Sequence, residues 1–215
     1  EYVSMVGFCS YLTVAAEMSQ DKDELREAAW QLFAGCNGTG LYGAMNESMD
    51  NLNERRGLRA ILIVTDGEDS GNSSAALEAL WAKLLGSDVR VYAIGYGGAL
   101  DGRLDGMNGR QLLRSWADAS GGAYYEAPSG AAINEVTAQI GNALRKVSHY
   151  RIVASVPAGE GGLSVSEVGE SVGGVAVPSQ IALILDASGS MRGRDGQGER
   201  KMRVAKQTMR ALIGQ

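Results

Sequence analysis

The chain has 215 residues, of which 45% are hydrophobic and 21% are charged, and its formal net charge at pH 7 is −5. This composition indicates a globular chain with a sizeable core, and the length fits one large α/β domain or a smaller domain with an appendage. The acidic balance argues against a nucleic-acid-binding surface, which needs clustered Lys and Arg. No stretch approaches the length of a membrane span, so we expect neither a membrane helix nor a signal peptide.

Hydrophobic periodicity predicts alternating strands and helices along most of the chain. In chain order we predict strand 3–8, edge strand 12–17, helices 21–33 and 41–52, strand 60–65, helix 73–85, strand 89–95, a Gly- and Asp-rich loop over 97–109, helix 110–119, strand 123–126, helix 130–147, strand 181–185 and helix 201–213. This alternation is typical of an α/β fold with a doubly wound, mostly parallel central sheet and helices on both faces.

Residues 149–180 interrupt the alternation. Residues 150–156 have the pattern of a strand, residues 163–168 alternate Leu and Val with polar neighbours, and residues 172–177 give a third short candidate. A flexible linker is the alternative, since Gly-rich stretches separate these segments. Because a linker has no need for so many valines, we favour short strands that flank the sheet.

The most informative segment lies near the end of the chain. Residues 181–191 read Ile-Ala-Leu-Ile-Leu-Asp-Ala-Ser-Gly-Ser-Met, so an apolar run ends at Asp186 and is followed by Ser188 and Ser190. An unbroken apolar run is typical of a strand buried on both faces, and open α/β sheets bind ligands at the carboxyl ends of such strands. Three oxygen donors spaced two apart suit a hard cation such as Mg²⁺. An Asp that only turns the chain explains the full Asp-x-Ser-x-Ser pattern less well.

Two upstream segments support a metal site. Residues 38–45, Gly-Thr-Gly-Leu-Tyr-Gly-Ala-Met, place Thr39 in a Gly-rich loop before a helix, and residues 61–70, Ile-Leu-Ile-Val-Thr-Asp-Gly-Glu-Asp-Ser, end a buried strand at Asp66. Together the three segments resemble the von Willebrand factor A (vWA) domain. The metal-ion-dependent adhesion site of that family takes Asp-x-Ser-x-Ser, a Thr and an Asp from three loops. The resemblance covers the chain except for about residues 149–179.

The order of these parts differs from that of the family, in which Asp-x-Ser-x-Ser follows the first strand. The chain therefore resembles a circularly permuted vWA domain, with its new ends in a surface loop where cuts are tolerated. This interpretation places strand 181–185 between strands 3–8 and 60–65 of a monomer. The alternative, a fragment that carries parts of two neighbouring copies, predicts strand exchange between chains. We expect one domain over residues 1–215, made of second strand to last helix (1–148), a joining segment (149–180), and first strand, metal motif and first helix (181–215).

The resemblance implies a role for each site residue. Ser188 and Ser190 would coordinate Mg²⁺ directly, with Mn²⁺ or Ca²⁺ as alternative ions. Asp186 and Asp66 would bind it directly or through waters, and Thr39 would enter or leave the coordination shell with the conformational state. An open coordination position would then accept a carboxylate from a protein partner.

The ligand-binding rim is predicted to include four more residues. Glu68 and Asp69 follow Asp66 and either acidify this rim or are solvated turn residues, and Gly40 belongs to the Gly-rich loop. Arg192 begins a basic run that either attracts an acidic partner or is a solvated loop.

Three functional hypotheses remain, and the first is favoured: a cation-dependent protein-binding or adhesion domain, an intracellular vWA scaffold that works with an ATPase machine, as bacterial members of the family do, and a metal-dependent hydrolase. We expect no enzyme, because the sole histidine, His149, lies far from any serine in a nucleophile-elbow context and no phosphate-loop motif is present.

Cys9 and Cys36 form either a disulfide or two independent buried thiols. A disulfide would favour an extracellular or cell-surface location, which we prefer to a cytoplasmic one.

Overall fold

The computed structural model describes residues 1–35, 38, 40–66, 74–97, 100, 103–104, 107–146 and 179–214. Its strands are β1 (Tyr2–Phe8), β2 (Leu12–Ser19), β3 (Leu58–Thr65), β4 (Arg90–Tyr96), β5 (Arg103–Leu104), β6 (Met107–Asn108), β7 (Ala123–Ala127) and β8 (Ser179–Asp186). Its α-helices are α1 (Lys22–Gln31), α2 (Leu41–Asn53), α3 (Ser74–Leu85), α4 (Gly109–Ser120), α5 (Gly130–Lys146) and α6 (Lys201–Gly214), and a 3₁₀ helix spans Gly189–Arg192.

Each predicted strand and helix of the alternating pattern has a counterpart, with shifts of a few residues at the ends. The Gly- and Asp-rich segment 97–109 differs from the predicted loop, because it contains the short antiparallel pair β5–β6. Helix α4 begins one residue earlier than predicted, and Asn108 caps it. The Asn108 side chain accepts from the backbone N–H of Gln111, and the Gln111 side chain accepts from the backbone N–H of Asn108. This reciprocal pair satisfies two of the free donors at the helix start.

Six strands form one sheet in the order β2-β1-β8-β3-β4-β7. Only the edge strand β2 is antiparallel to its neighbour, and the other pairings are parallel. The predicted place of strand 181–185 is confirmed, because β8 pairs with β1 on one side and β3 on the other. All eight residues of β8 are buried, as expected for a central strand that is covered on both faces.

Two hydrophobic cores lie on opposite faces of this sheet. Helices α1, α5 and α6 cover one face, and helices α2, α3 and α4 cover the other. Strand β8 serves both cores: Leu183 and Leu185 pack into the first, and Ala182 and Ile184 into the second. The unbroken apolar pattern of this strand therefore follows from its position, since alternate side chains point to opposite faces. The architecture is the predicted α/β fold.

Within the described part of the chain, the helices are too short or too polar to cross a membrane. The three short strands predicted over residues 150–156, 163–168 and 172–177 lie outside the described residues, as does most of the joining segment. The division of the chain into three parts therefore stays a prediction.

Candidate metal site at the carboxyl edge of the sheet

The carboxyl ends of β8 and β3 bring two aspartates together. Asp186 is the last residue of β8, and Asp66 directly follows β3. Since these strands are parallel neighbours, their ends lie at the same edge of the sheet. Both aspartates have 0% exposed surface. Two carboxylates withdrawn from water must be compensated by hydrogen bonds or by positive charge.

Both oxygens of Asp186 accept hydrogen bonds. The Thr65 hydroxyl donates to Oδ2 at 2.6 Å, and the backbone N–H of Ser188 donates to Oδ1 at 2.8 Å. The backbone N–H of Ala187 donates to the carbonyl of Phe8 at the end of β1, at 2.7 Å. These contacts fix the start of the serine loop relative to both neighbouring strands.

The two serines of the motif connect this aspartate to the other one. The hydroxyl oxygens of Ser188 and Ser190 lie 2.7 Å apart, and the Ser190 hydroxyl donates to Asp66 Oδ1 at 2.9 Å. Four of the five predicted ligands therefore form one continuous cluster of oxygens, which we call the site cluster: Asp186, Ser188, Ser190 and Asp66. The fifth predicted ligand, Thr39, lies outside the described residues.

Sequence reasoning missed two residues that contact the site cluster. Thr65 donates to Asp186. The sequence could have indicated this role, because Thr65 is the one hydroxyl residue in the apolar run of β3. Lys201 begins α6, and its ammonium donates to Asp66 Oδ2 at 2.9 Å, with 11% of its side chain exposed. No local pattern marks Lys201, since its position depends on how the loop after the 3₁₀ helix folds back.

Burial raises the pKa of Asp186 to about 6, and the nearby charge of Asp66 raises it as well. The hydrogen bonds from Thr65 and Ser188 act in the opposite direction but do not cancel the effect. The raised pKa means that the charged form of Asp186 is destabilised, first by its burial and in addition by the negative charge of Asp66. A cation bound between them would remove that penalty.

The donor set of the site cluster fits a hard divalent cation. It consists of two carboxylates and two hydroxyls, and Mg²⁺ is commonly held by one or two carboxylates while it keeps several waters. No group of three or more His, Cys, Asp or Glu side chains suited to a metal occurs among the described residues. A cation here would therefore rely on the serine hydroxyls and on water for its remaining ligands.

The structure places two of the four predicted rim residues. A Cβ atom at Gly40 would lie 2.8 Å from the backbone carbonyl oxygen of Cys9, so only glycine lets the start of α2 approach β1 this closely. The Arg192 guanidinium donates to the carbonyls of Ala34 and Gly35 at 2.9 and 2.8 Å and lies over the ring of Phe33. Arg192 thus anchors the segment after α1. Glu68 and Asp69, the other two rim candidates, lie outside the described residues.

Asp195 holds the loop that carries Lys201 back to the sheet. Its Oδ2 accepts from the Tyr96 hydroxyl at 3.0 Å and from the backbone N–H of Gly130 at 2.9 Å. Its Oδ1 accepts from the backbone N–H groups of Gln197 and Glu199, both at 2.9 Å. Burial raises the pKa of Asp195, but these four hydrogen bonds lower it further than burial raises it. Asp195 is therefore a charged anchor of the loop.

Cys9 follows β1 at the same edge of the sheet and is 2% exposed. It is disulfide-bonded, so the alternative of two independent thiols is wrong. Cys36, the other cysteine of the sequence, lies outside the described residues, as does His149.

Comparisons with known proteins identify no family. No protein-family model matches the chain, and no curated protein sequence matches it. Among solved structures, the crystal structure of an uncharacterized membrane spanning protein from Vibrio fischeri matches at 17% identity with a TM-score of 0.32, covering 66% of this chain and 75% of that chain. A likeness of this size does not establish a shared fold.

Proposed function

We propose that the chain is a divalent-cation-dependent protein-binding or adhesion domain of the vWA type. In this proposal Mg²⁺, or Mn²⁺ or Ca²⁺ in its place, binds at the site cluster and accepts a carboxylate from a protein partner. The observation that carries the proposal is the continuous contact from Asp186 through Ser188 and Ser190 to Asp66, at the carboxyl edge between the two central strands. This edge is where open α/β sheets bind their ligands.

The contacts of the two aspartates support binding over catalysis. Each of their four oxygens accepts a hydrogen bond, from Thr65, Ser188, Ser190 or Lys201. A general base must be free to reach a substrate proton, whereas an oxygen cradle needs its atoms fixed in place. The serine hydroxyls can still serve a cation, because each oxygen has two lone pairs and its hydrogen can rotate. We therefore propose no enzymatic activity.

The strand order supports the circular permutation. The strand that carries the metal motif lies at the centre of the sheet although it comes last in the chain. In the vWA resemblance, the family order places its first strand at this central position. We propose that one chain forms the whole domain and that the protein is a monomer.

The disulfide supports an exported location. Disulfides persist in oxidising compartments and are rare in the cytosol, and Cys9 is disulfide-bonded. We therefore propose an extracellular or cell-surface adhesion domain, in preference to an intracellular scaffold for an ATPase machine, and we propose no nucleic-acid partner.

Thermal unfolding with and without cation tests the proposed site. We expect excess Mg²⁺ or Mn²⁺ to raise the Tm of the wild type relative to EDTA, since a ligand that binds only the folded state stabilises it by mass action. Asp186→Ala should abolish the rise, and Asp118→Ala, which removes an exposed aspartate from α4, should preserve it. Equal wild-type Tm values in EDTA and in 10 mM Mn²⁺ would contradict the proposal.

Water-proton relaxation tests the open coordination position. Acetate should lower the relaxivity of protein-bound Mn²⁺ by displacing a coordinated water, and acetamide, which has a similar shape but no charge, should not. An acetate effect equal to that of acetamide would leave a cation site without the proposed carboxylate recognition.

A further inference from the structure

The Lys201 ammonium is a positive charge beside the site cluster. It lies 2.9 Å from Asp66 Oδ2, and this aspartate is completely buried. The Asp-x-Ser-x-Ser pattern does not include Lys201, and the proposed function has so far used only the oxygens. A nearly buried ammonium beside a candidate cation site must affect the charge that an entering ion meets.

The surrounding backbone is shaped around this side chain. Gly97, which follows β4, has a φ of 94°, and a Cβ atom at that position would lie 2.9 Å from Lys201 Cε and 3.1 Å from Nζ. The backbone N–H of Lys201 also donates to the carbonyl of Gly193 at 3.0 Å. Both ends of the residue are therefore fixed, and a glycine makes room for its side chain.

Lys201 and Ser190 divide the two oxygens of Asp66 between them. The ammonium donates to Oδ2 and the Ser190 hydroxyl to Oδ1. A cation that binds among the serine hydroxyls therefore meets Asp66 through the Oδ1 side and leaves the ammonium in place. With both aspartates ionised, the site cluster and Lys201 together carry a charge of −1, which a divalent cation would change to +1.

We propose that Lys201 is a resident counter-cation of this site, which weakens the binding of divalent cations and makes the cation-loaded site positive enough to select an anionic partner. The inference rests on the proposed function, because it assigns a role to a residue beside the same oxygens. Without Lys201, two aspartates and a divalent cation would sum to zero, and the attraction for a carboxylate would be weaker. One residue thus lowers the affinity for the ion and raises the affinity for the ligand.

The expected effect is large enough to measure. For charges of +2 and +1 about 6 Å apart, Coulomb's law gives a change of about tenfold in affinity even at the dielectric constant of water. A partly buried site screens charge less than water does, so about tenfold is the smallest change that we expect on removal of the ammonium.

Binding of Mn²⁺ alone, followed by the electron paramagnetic resonance of the free ion, tests the first consequence. Lys201→Met keeps an unbranched side chain of nearly the same length and removes its charge, so it should bind Mn²⁺ at least about tenfold more tightly than the wild type. Lys206→Met is the matched control: it removes a lysine from the same helix whose ammonium donates to the carbonyl of Trp30. This control should bind Mn²⁺ as the wild type does.

Acetate tests the second consequence on the Mn²⁺-loaded proteins. At equal Mn²⁺ occupancy, acetate should lower the Mn²⁺ relaxivity at severalfold higher concentration in Lys201→Met than in the wild type or in Lys206→Met. Opposite shifts of ion and acetate affinity separate charge balance from a general loosening of the site, which would weaken both.

The outcomes separate this inference from the proposed function. If the wild type binds Mn²⁺ and Lys201→Met binds it equally or more weakly, the role of Lys201 is overturned and the cation site stands. If neither protein binds Mn²⁺, both proposals fail, whereas binding by Lys201→Met alone supports the counter-cation. If the variant is unfolded by circular dichroism, folding on addition of Mn²⁺ supports the inference, because the ion then replaces the ammonium. A variant that stays unfolded with Mn²⁺ overturns it.

Discussion

At the scale of single residues, the hydrogen bond from Thr65 to Asp186 shows how a neighbouring strand stabilises a buried charge. The donor is a strand residue and the acceptor ends the next strand, so the contact exists only when β3 and β8 are paired. A hydrogen bond from a hydroxyl to a buried carboxylate contributes more to the stability of the fold than a hydrogen bond between two neutral groups does. The reason is that its loss leaves a charged acceptor without a donor.

We therefore expect Thr65→Val, which keeps the shape and removes the hydroxyl, to lower the free energy of unfolding by about 1–3 kcal/mol. Denaturation in urea measures this, with Thr13→Val on the exposed face of the edge strand β2 as the control. A loss equal to that of the control would show that the hydroxyl does not stabilise Asp186.

The raised pKa of Asp186 predicts a pH dependence with a definite sign. Its pKa is 3.8 in the unfolded chain and about 6 in the folded one, so the folded chain holds the proton more tightly. Without a divalent cation, protonation of Asp186 contributes roughly 3 kcal/mol to the free energy of unfolding below about pH 4. This contribution is lost as the pH rises to about 6. A cation should oppose the loss, because it favours the carboxylate form.

Urea denaturation in EDTA at several pH values between 4 and 7 measures this effect. Asp186→Asn cannot titrate at this position, so its stability should fall less than that of the wild type over this range. Parallel curves for the two proteins would contradict the assignment to Asp186.

At the scale of elements, Asp195 joins parts that are distant in sequence. It links the end of β4, through Tyr96, to the start of α5, through Gly130, and it closes the turn before α6. Burial raises the pKa of Tyr96, and its hydrogen bond to the Asp195 carboxylate raises it further, so the phenol remains a donor at neutral pH. Asp195 thus supplies the side-chain contacts that join the loop before Lys201 to β4 and α5.

We expect Asp195→Ala to lower the free energy of unfolding by about 2–4 kcal/mol, since four donors, two of them in buried contacts, lose their common acceptor. Chemical denaturation measures the loss, and Asp118→Ala, an exposed aspartate on α4, is the control. Lys201→Met removes the ion pair with Asp66 and should therefore change the Tm less in the Asp195→Ala background than in the wild type, because the loop no longer holds the ammonium at Asp66. Full additivity of the two substitutions would show that the loop and the ammonium are independent.

At the scale of the whole molecule, the central strand comes from the end of the chain. A single-chain domain predicts a monomer whose unfolding midpoint does not depend on protein concentration. A fragment with parts of two copies would instead exchange β8 between chains. Light scattering over a hundredfold range of concentration distinguishes these outcomes, and an obligate dimer would exclude the permuted monomer.

The sequence by itself determined the alternation of strands and helices, the burial of β8 on both faces and four members of the site cluster. It could do so because burial on two faces leaves an unbroken apolar run, and because parallel strands place the residues that follow them at one edge. Only the tertiary structure decided that Thr65 donates to Asp186 and that Lys201 reaches Asp66. Those contacts join residues more than 120 positions apart, through strand pairing and a loop anchored by Asp195. Local periodicity in the sequence cannot predict such a contact, because the energy of the contact depends on groups that meet only in the folded chain.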